Sequence, residues 1–346
     1  MLAAQLRANS ERITAHVLEA DYRRRPILVD RYGERGRELY ARDNAYHVDF
    51  LAEAIANAEP ALFVDYVAWA KSLLFAHGVL TEDLVHNLEL LKEAVGAVLG
   101  ADFAARALGP VDDALAQLPR QPLEPPSFLD DEAPHATLAR DYLAHLLNGE
   151  RRLATELVIT AVADGVPLRD VYLDVFQRTQ REIGRLWQLN RITVAQEHFC
   201  TAATLAAMNQ FYRDILAGPR NGRRVVCACV AGDLHEIGLR IVADFFELDG
   251  WDCDYIGANK PATDLVRTLA SKPPDLIAIA ATMTYHVDAI RSLIGCLRAE
   301  PGLAGVPVLV GGRPFLIAAD LWKEIGADGS ALDALEAVAL GNRLTA

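Results

Sequence analysis

"RVVCACVAGDLHEIGLRIVADFF", residues 224–246, decides how the fold is read. A short apolar run gives way to a glycine, a carboxylate and a histidine, and then to apolar residues spaced three and four apart. That pattern is strand, turn, helix. The same alternation recurs to the end of the chain, with strands expected at "WDCDYIG" (251–257), "DLIAIAA" (275–281) and "PVLVGG" (307–312) and a short one in "ADGSA" (327–331). Buried strands alternating with amphipathic helices predict a doubly wound, flavodoxin-like parallel sheet over residues 223–346. In such sheets ligands bind at the carboxyl ends of the strands, near the point where the strand order reverses.

Upstream the period is helical throughout. Residues 1–118 read as an all-helical domain, with Gly78 as a helix stop and Thr81 as the following N-cap. A stretch of five prolines within "LPRQPLEPPSFLDDEAP" marks residues 119–134 as a linker, because proline removes backbone donors and turns its neighbours away from helix. Residues 135–218 then read as a four-helix bundle with breaks at "NGE" (148–150), "DGVP" (164–167) and "QLNRI" (188–192). Pro167 suits the first turn of the third helix, and Thr193 with Gln196 forms a capping box that starts the fourth.

Composition narrows the function classes. A net charge of −13 argues against a phosphate-backbone partner, so no direct DNA binding is expected. Five cysteines without a C-x-x-C pair give neither a disulfide framework nor a zinc knuckle, which fits a reducing cytoplasm. No apolar run approaches the roughly 18 residues of a membrane helix, so no membrane association is expected. A nicotinamide-binding reading lacks G-x-G-x-x-G after the first strand, and a receiver reading lacks an acceptor Asp at the end of "IAIAATM".

Three loops fall at the carboxyl ends of the strands: Asp233-Leu234-His235 with Gly238, "AATMT" with Thr282, and Gly311-Gly312. A histidine can ligate a metal through one ring nitrogen while a carboxylate holds the other, which fixes the tautomer. Asp233 and His235 have that spacing, and the glycines would let a planar ligand approach backbone. The plainer alternative makes Asp233 a helix cap and His235 a surface residue.

The longer spacing resembles a known family. Asp-x-His-x-x-Gly, 41 residues from Gly238 to Ala280, and 28 from Thr282 to Gly311-Gly312 resemble the base-off, His-on cobalamin domains of methionine synthase, corrinoid methyltransferases and B12-dependent mutases. The resemblance implies that His235 is the lower cobalt ligand, that Asp233 is its partner, and that the glycine loop lines the channel for the nucleotide tail. Where that family has Ser this chain has Ala280, so the tail contact is lost or passes to Thr282.

The bundle resembles the cap over the upper face of cobalamin in the same families. Trp187, nine residues, then Glu197-His198 is similar to the signature of adenosylcobalamin photoreceptors of the CarH type, which implies an upper-face pocket made by these three residues. Two departures stand out: no MerR-type DNA-binding head precedes the bundle, and Gln188 replaces the histidine that follows the Trp in those repressors. In this the chain resembles the photocobilins, which also bind biliverdin. That resemblance implies a bilin site in the helical domain, with Arg42, His47, Trp69 and His77 as its candidate contacts and no cysteine before residue 200 for a thioether link. The reading is a non-enzymatic cytoplasmic light sensor that signals through a downstream protein or a light-dependent homo-oligomer. A corrinoid carrier of methyl groups is the alternative.

Overall fold

The computed structural model describes residues 1–130 and 132–346, and the side chains of Arg31 and Tyr32 also lie outside the description. Asp131, in the proline-rich stretch, is thus not covered. The chain divides into two units, Met1–Leu123 and Glu124–Ala346.

The first unit is all α: α1 (Leu2–Ala8), α2 (Ser10–Arg24), α3 (Ile27–Ala56), α4 (Pro60–Ala76), α5 (Thr81–Leu99), α6 (Ala101–Ala107) and α7 (Gly109–Gln117). One stripe of α2 shows how the core is built. Ile13, Val17 and Asp21 recur every fourth residue and are all buried, so the apolar face ends on a carboxylate. Burying that charge is tolerable only because it is paired. Arg25, one turn on, binds both Asp21 oxygens at 2.6 Å, and the Tyr40 hydroxyl donates to it at 2.6 Å. Gly78 ends α4 at φ +83 as expected. Thr81 is not the cap of α5: it is the first helical residue, Leu80 holds the cap position, and no side chain caps that end.

The second unit begins with part of the proline-rich stretch. Glu124 pairs with Arg185 and Arg191, and the Phe128 N–H donates to Glu182. The bundle follows as α8 (Ala136–Leu147), α9 (Arg151–Ala163), a helix begun by α10 (Leu168–Asp170), carried through a π-helical stretch (Val171–Gln177) and completed by α11 (Arg178–Gln188), and then α12 (Val194–Met208) and a short α13 (Tyr212–Ile215). Pro167 stands one place outside the helix, its ψ of 134° still extended. Thr193 caps α12 as predicted, exchanging bonds with Gln196.

The sheet holds β1 (Arg224–Val230), β2 (Asp252–Lys260), β3 (Leu276–Ala280), β4 (Val308–Gly311) and β5 (Gly329–Ser330), all parallel in the order β2-β1-β3-β4-β5. Its helices are α14 (Ile237–Leu248), α15 (Ala262–Ser271), α16 (Val287–Ala299), α17 (Arg313–Ile317), α18 (Leu321–Glu324) and α19 (Ala334–Leu344). The order reverses between β1 and β3, which places the switch point at the loop carrying His235. One sheet face, with Val225, Cys227, Cys229, Leu276, Ala278 and Leu309, joins α14, α19 and the bundle in a single apolar core. A buried polar tie crosses that core: the Tyr172 hydroxyl donates to Asp244 Oδ2 at 2.9 Å, and Arg240 donates to Asp244 Oδ1 at 2.9 Å. The bundle is thereby fixed against α14.

Candidate cofactor site

The β1–α14 loop is pinned from both sides. From the β2 side, Asn259 accepts from the Gly232 N–H at 2.8 Å and donates its own N–H to the Asp233 carbonyl at 3.1 Å. Asn259 sits at φ +55, a left-handed conformation that asparagine tolerates better than most residues. Glu236 accepts from the Tyr255 hydroxyl and the Ala258 N–H. From the β3 side, the Thr282 N–H donates to Asp233 Oδ2 at 2.6 Å.

Asp233 is completely buried, and its other oxygen receives both the backbone N–H of His235 at 2.9 Å and the ring Nδ1 at 2.8 Å. Burial alone would raise this carboxyl. The His235 ring, followed by His286 and the backbone N–H groups of His235 and Thr282, instead holds it well below the usual carboxylate range. His286 acts without a hydrogen bond, since its Nδ1 stands 3.7 Å from Asp233 Oδ2 and has no hydrogen-bond partner among the described residues. The imidazole of His235 is raised, chiefly by the bond to Asp233, against burial and with help from the charges of Asp233 and Glu197. Its side chain remains 60% exposed. With Nδ1 engaged, Nε2 is the nitrogen left to face the cleft.

The glycines differ in what they do. At Gly312, φ is +105 and a Cβ would lie 2.0 Å from the Ala281 carbonyl oxygen, so the backbone itself demands glycine. A Cβ at Gly311 would meet the Ala331 oxygen at an ordinary 3.6 Å, and one at Gly238 would meet nothing within 4 Å. Those two leave space for a ligand. Among the described residues the half-buried Thr282 hydroxyl, two positions from Ala280, has no hydrogen-bond partner, which leaves it available to a ligand.

From the bundle, the charge of Glu197 adds the smallest of the contributions that raise the His235 imidazole. Its Oε1 accepts from the Thr201 hydroxyl at 3.0 Å, the Gln180 amide oxygen stands 3.3 Å from the same hydroxyl as a competing acceptor, and the Gln180 amide donates to Thr204, which the buried Tyr142 hydroxyl also reaches. His198, 74% exposed, is held by Glu197 through Nδ1. Trp187 is partly buried at the end of α11 and packs on the core. Asn259, His286, Gln180 and Thr201 were not singled out from sequence. Only Asn259 left a trace there, as an Asn at the end of a strand; the others are polar residues inside ordinary helical patterns.

In the first unit the four bilin candidates lie along α3 and α4. His47 is a buried core histidine whose Nδ1 meets the Tyr66 hydroxyl at 2.7 Å, and Trp69 lies 6.4 Å from the same ring. Arg42 stands beside Asp43, and His77 is exposed with Nδ1 on the Leu73 carbonyl.

A parallel sheet with a carboxylate-oriented imidazole at its switch point, in one core with a helical bundle, marks a cofactor-binding protein. Cobalamin fits the residues present: a half-exposed imidazole held through Nδ1 alone, and backbone at Gly238 and Gly311 where a Cβ would find room. Residues 223–339 match the B12 binding domain family, and residues 138–212 match a second B12 binding domain family. Dimethylamine corrinoid protein 2 of Methanosarcina mazei is 30% identical over 166 residues, covering 47% of this chain and 76% of that protein. The HTH-type transcriptional repressor CarA of Myxococcus xanthus is 32% identical over 123 residues, 35% of this chain and 41% of the repressor. The monomethylamine corrinoid protein of Methanosarcina barkeri shares the fold, with a TM-score of 0.54 at 23% identity over 61% of this chain and 100% of that one. The chain belongs to the family of B12-binding corrinoid proteins.

Proposed function

We propose that this chain is a corrinoid methyl carrier, holding cobalamin between bundle and sheet and presenting it to the enzymes that load and unload a methyl group. The observation that carries the reading is His235, with Nδ1 fixed on a buried carboxylate and the ring otherwise open to the cleft. Bound cobalamin would supply a cobalt centre able to accept and release the methyl group. The protein's part is to hold and orient: Asp233 sets the tautomer of His235, Thr282 and Asn259 fix Asp233, and the bundle covers the upper face. The names of the methylamine corrinoid relatives support this reading over others. As a carrier the chain itself catalyses nothing, and its partners are methyltransferases.

The test is transfer. Protein loaded with methylcobalamin should pass its methyl group to a thiol acceptor only when a methyltransferase encoded beside it is present, and His235→Ala should abolish this. Transfer by neither, with cobalamin firmly held, refutes the carrier role.

A second reading rests on Trp187 and on Glu197, whose charge reaches His235, together with the similarity to CarA. It is light sensing with adenosylcobalamin, with biliverdin as a second chromophore in the first unit and a downstream protein or self-association as output. Spectra of protein given both ligands, taken in darkness and after green and red light, test it. A corrin spectrum that light leaves unchanged would refute it.

A further inference from the structure

We infer that Arg240 is a positioning residue that couples the bundle to the loop carrying His235, so that a disturbance at Tyr172 is felt at the histidine without touching it. The inference rests on His235 being the residue that meets the cofactor and is independent of which role the bound cofactor serves.

Glu236, Arg240 and Asp244 recur every fourth residue along α14 from its cap, which puts an acid, a base and an acid on one stripe. Each has a partner on another element. Asp244, 3% exposed, accepts from the Tyr172 hydroxyl of the π-helical stretch at 2.9 Å and from Arg240 Nε at 2.9 Å. The Arg240 guanidinium lies over the Tyr255 ring of β2, 5.3 Å from its centre. The Tyr255 hydroxyl donates to Glu236 Oε2 at 2.9 Å, and the same oxygen accepts from the Ala258 N–H at 3.2 Å. Glu236 directly follows His235. The contacts therefore run unbroken from the bundle to the loop, and Arg240 is the link that touches both halves.

Apolar side chains would fill the same space at less cost, because charges taken out of water lose their hydration. The π-helical turn where the contacts begin is a rare form, found mostly at functional sites. At the other end, the pairing of β1 with β2 slips twice, between Cys227 and Ala228 and between Ala228 and Val230. Such slips disrupt the ladder and are common beside ligand sites, where they re-aim side chains. Side chains take over there: Glu236 holds the Ala258 N–H, and Asn259 holds Gly232 and Asp233. A loop held by side chains shifts with them, whereas a regular ladder would resist. Gly257 belongs to the same arrangement, since at φ +83 a Cβ there would press on Glu236 Oε2 at 3.1 Å.

The experiment is a double-mutant cycle on the full-length protein: wild type, Tyr172→Phe, Arg240→Met and the double variant. One readout is hydrogen exchange of the Ala258 amide in the cofactor-free protein. It is taken relative to the Ile277 amide, which bonds to Pro307 inside the sheet, so that a general loss of stability cancels. The other is retention of hydroxocobalamin in equilibrium dialysis, with the absorption spectrum reporting whether the histidine is bound. In the wild-type background Tyr172→Phe should speed Ala258 exchange about 5-fold beyond Ile277 and weaken hydroxocobalamin binding by about the same factor. In the Arg240→Met background both effects should fall below about 2-fold. Tyr255→Phe, which removes only the hydroxyl bond to Glu236, should suppress them likewise and replaces Arg240→Met if that variant does not fold. Equal effects of Tyr172→Phe in every background, or none in wild type, would overturn the inference. A wild type that binds no hydroxocobalamin refutes the cofactor site itself, and the exchange cycle then still decides the coupling.

Discussion

Gly311 and Gly312 are neighbours in sequence, yet the same methyl group added to each should have opposite consequences. At Gly312 the new Cβ would lie 2.0 Å from the Ala281 oxygen and 2.9 Å from its carbonyl carbon, at φ +105. The backbone conformation alone costs a non-glycine residue about 1–3 kcal/mol. Separating two backbone segments inside a packed core adds about 1–3 kcal/mol more. The sum, roughly 4 kcal/mol, is a large part of a typical 5–15 kcal/mol stability and should lower the melting temperature of the second unit by about 10 °C. Ala281 also precedes Thr282, whose N–H holds Asp233, so the displacement should travel to His235. At Gly311 the added Cβ makes only an ordinary 3.6 Å contact, and the unfolding midpoint should move by no more than about 0.5 kcal/mol while cobalamin binding weakens. Urea melts and dialysis with hydroxocobalamin on Gly311→Ala and Gly312→Ala read both quantities. A Gly312→Ala protein as stable as wild type would refute the reasoning, and so would a Gly311→Ala protein that unfolds instead of losing ligand.

Burial, only partly offset by Asn87, pushes His47 down to about 4, below its unfolded value near 6.5. Its contribution is therefore present above pH 6.5 and lost as pH falls toward 4, so the first unit should lose roughly 2 kcal/mol between pH 7 and pH 5. Urea titrations at the two pH values should show this, and His47→Gln should flatten the difference; an equal slope in both proteins would count against it. Asp233→Asn places an amide N–H₂ or an uncharged oxygen where Thr282 and His235 donate, and should weaken hydroxocobalamin retention about 10- to 100-fold with a shift toward the spectrum of cobalamin lacking a lower ligand. Unchanged affinity and spectrum would remove Asp233 from the ligand assignment. Tyr172→Phe deletes the 2.9 Å bond to buried Asp244 and should cost the second unit about 1–2 kcal/mol in a urea melt, with a shift under about 0.3 kcal/mol ruling out the tie.

Much of this fold could be read because its signals are local. A buried parallel strand is a short apolar run wherever it occurs, and all five expected strands lie within a few residues of β1 to β5. The Thr193 capping box was likewise legible, since both partners are three residues apart. Thr81 shows the limit: its spacing suits a cap, but the helix begins one residue earlier than that requires. In the site, Asp233 and His235 are two positions apart, and their bond follows from the loop itself. His286 reaches the same carboxylate from 53 positions away, through the packing of two loops, and leaves no local pattern. Nor did the five prolines reveal that Glu124 and Phe128 are bound to α11, because those partners lie more than fifty residues on.

The π-helical stretch at Val171–Gln177 fixes a phase. Each residue of an α-helix turns the chain by about 100° and advances it 1.5 Å, so widening the turn offsets everything downstream by a fraction of a revolution. Tyr172, inside the stretch, is committed to Asp244, and Trp187, beyond it, is on the face shared with Gln180 and Gly184. A perfectly regular helix of the same length would present Trp187 at a different angle from Tyr172. Deleting one residue between them would rotate Trp187 away by about a quarter turn while leaving composition, apolar pattern and helix length almost untouched. Within this family, then, the count of residues from the bundle's anchor to its aromatic tip should be guarded more strictly than the identity of the residues in between.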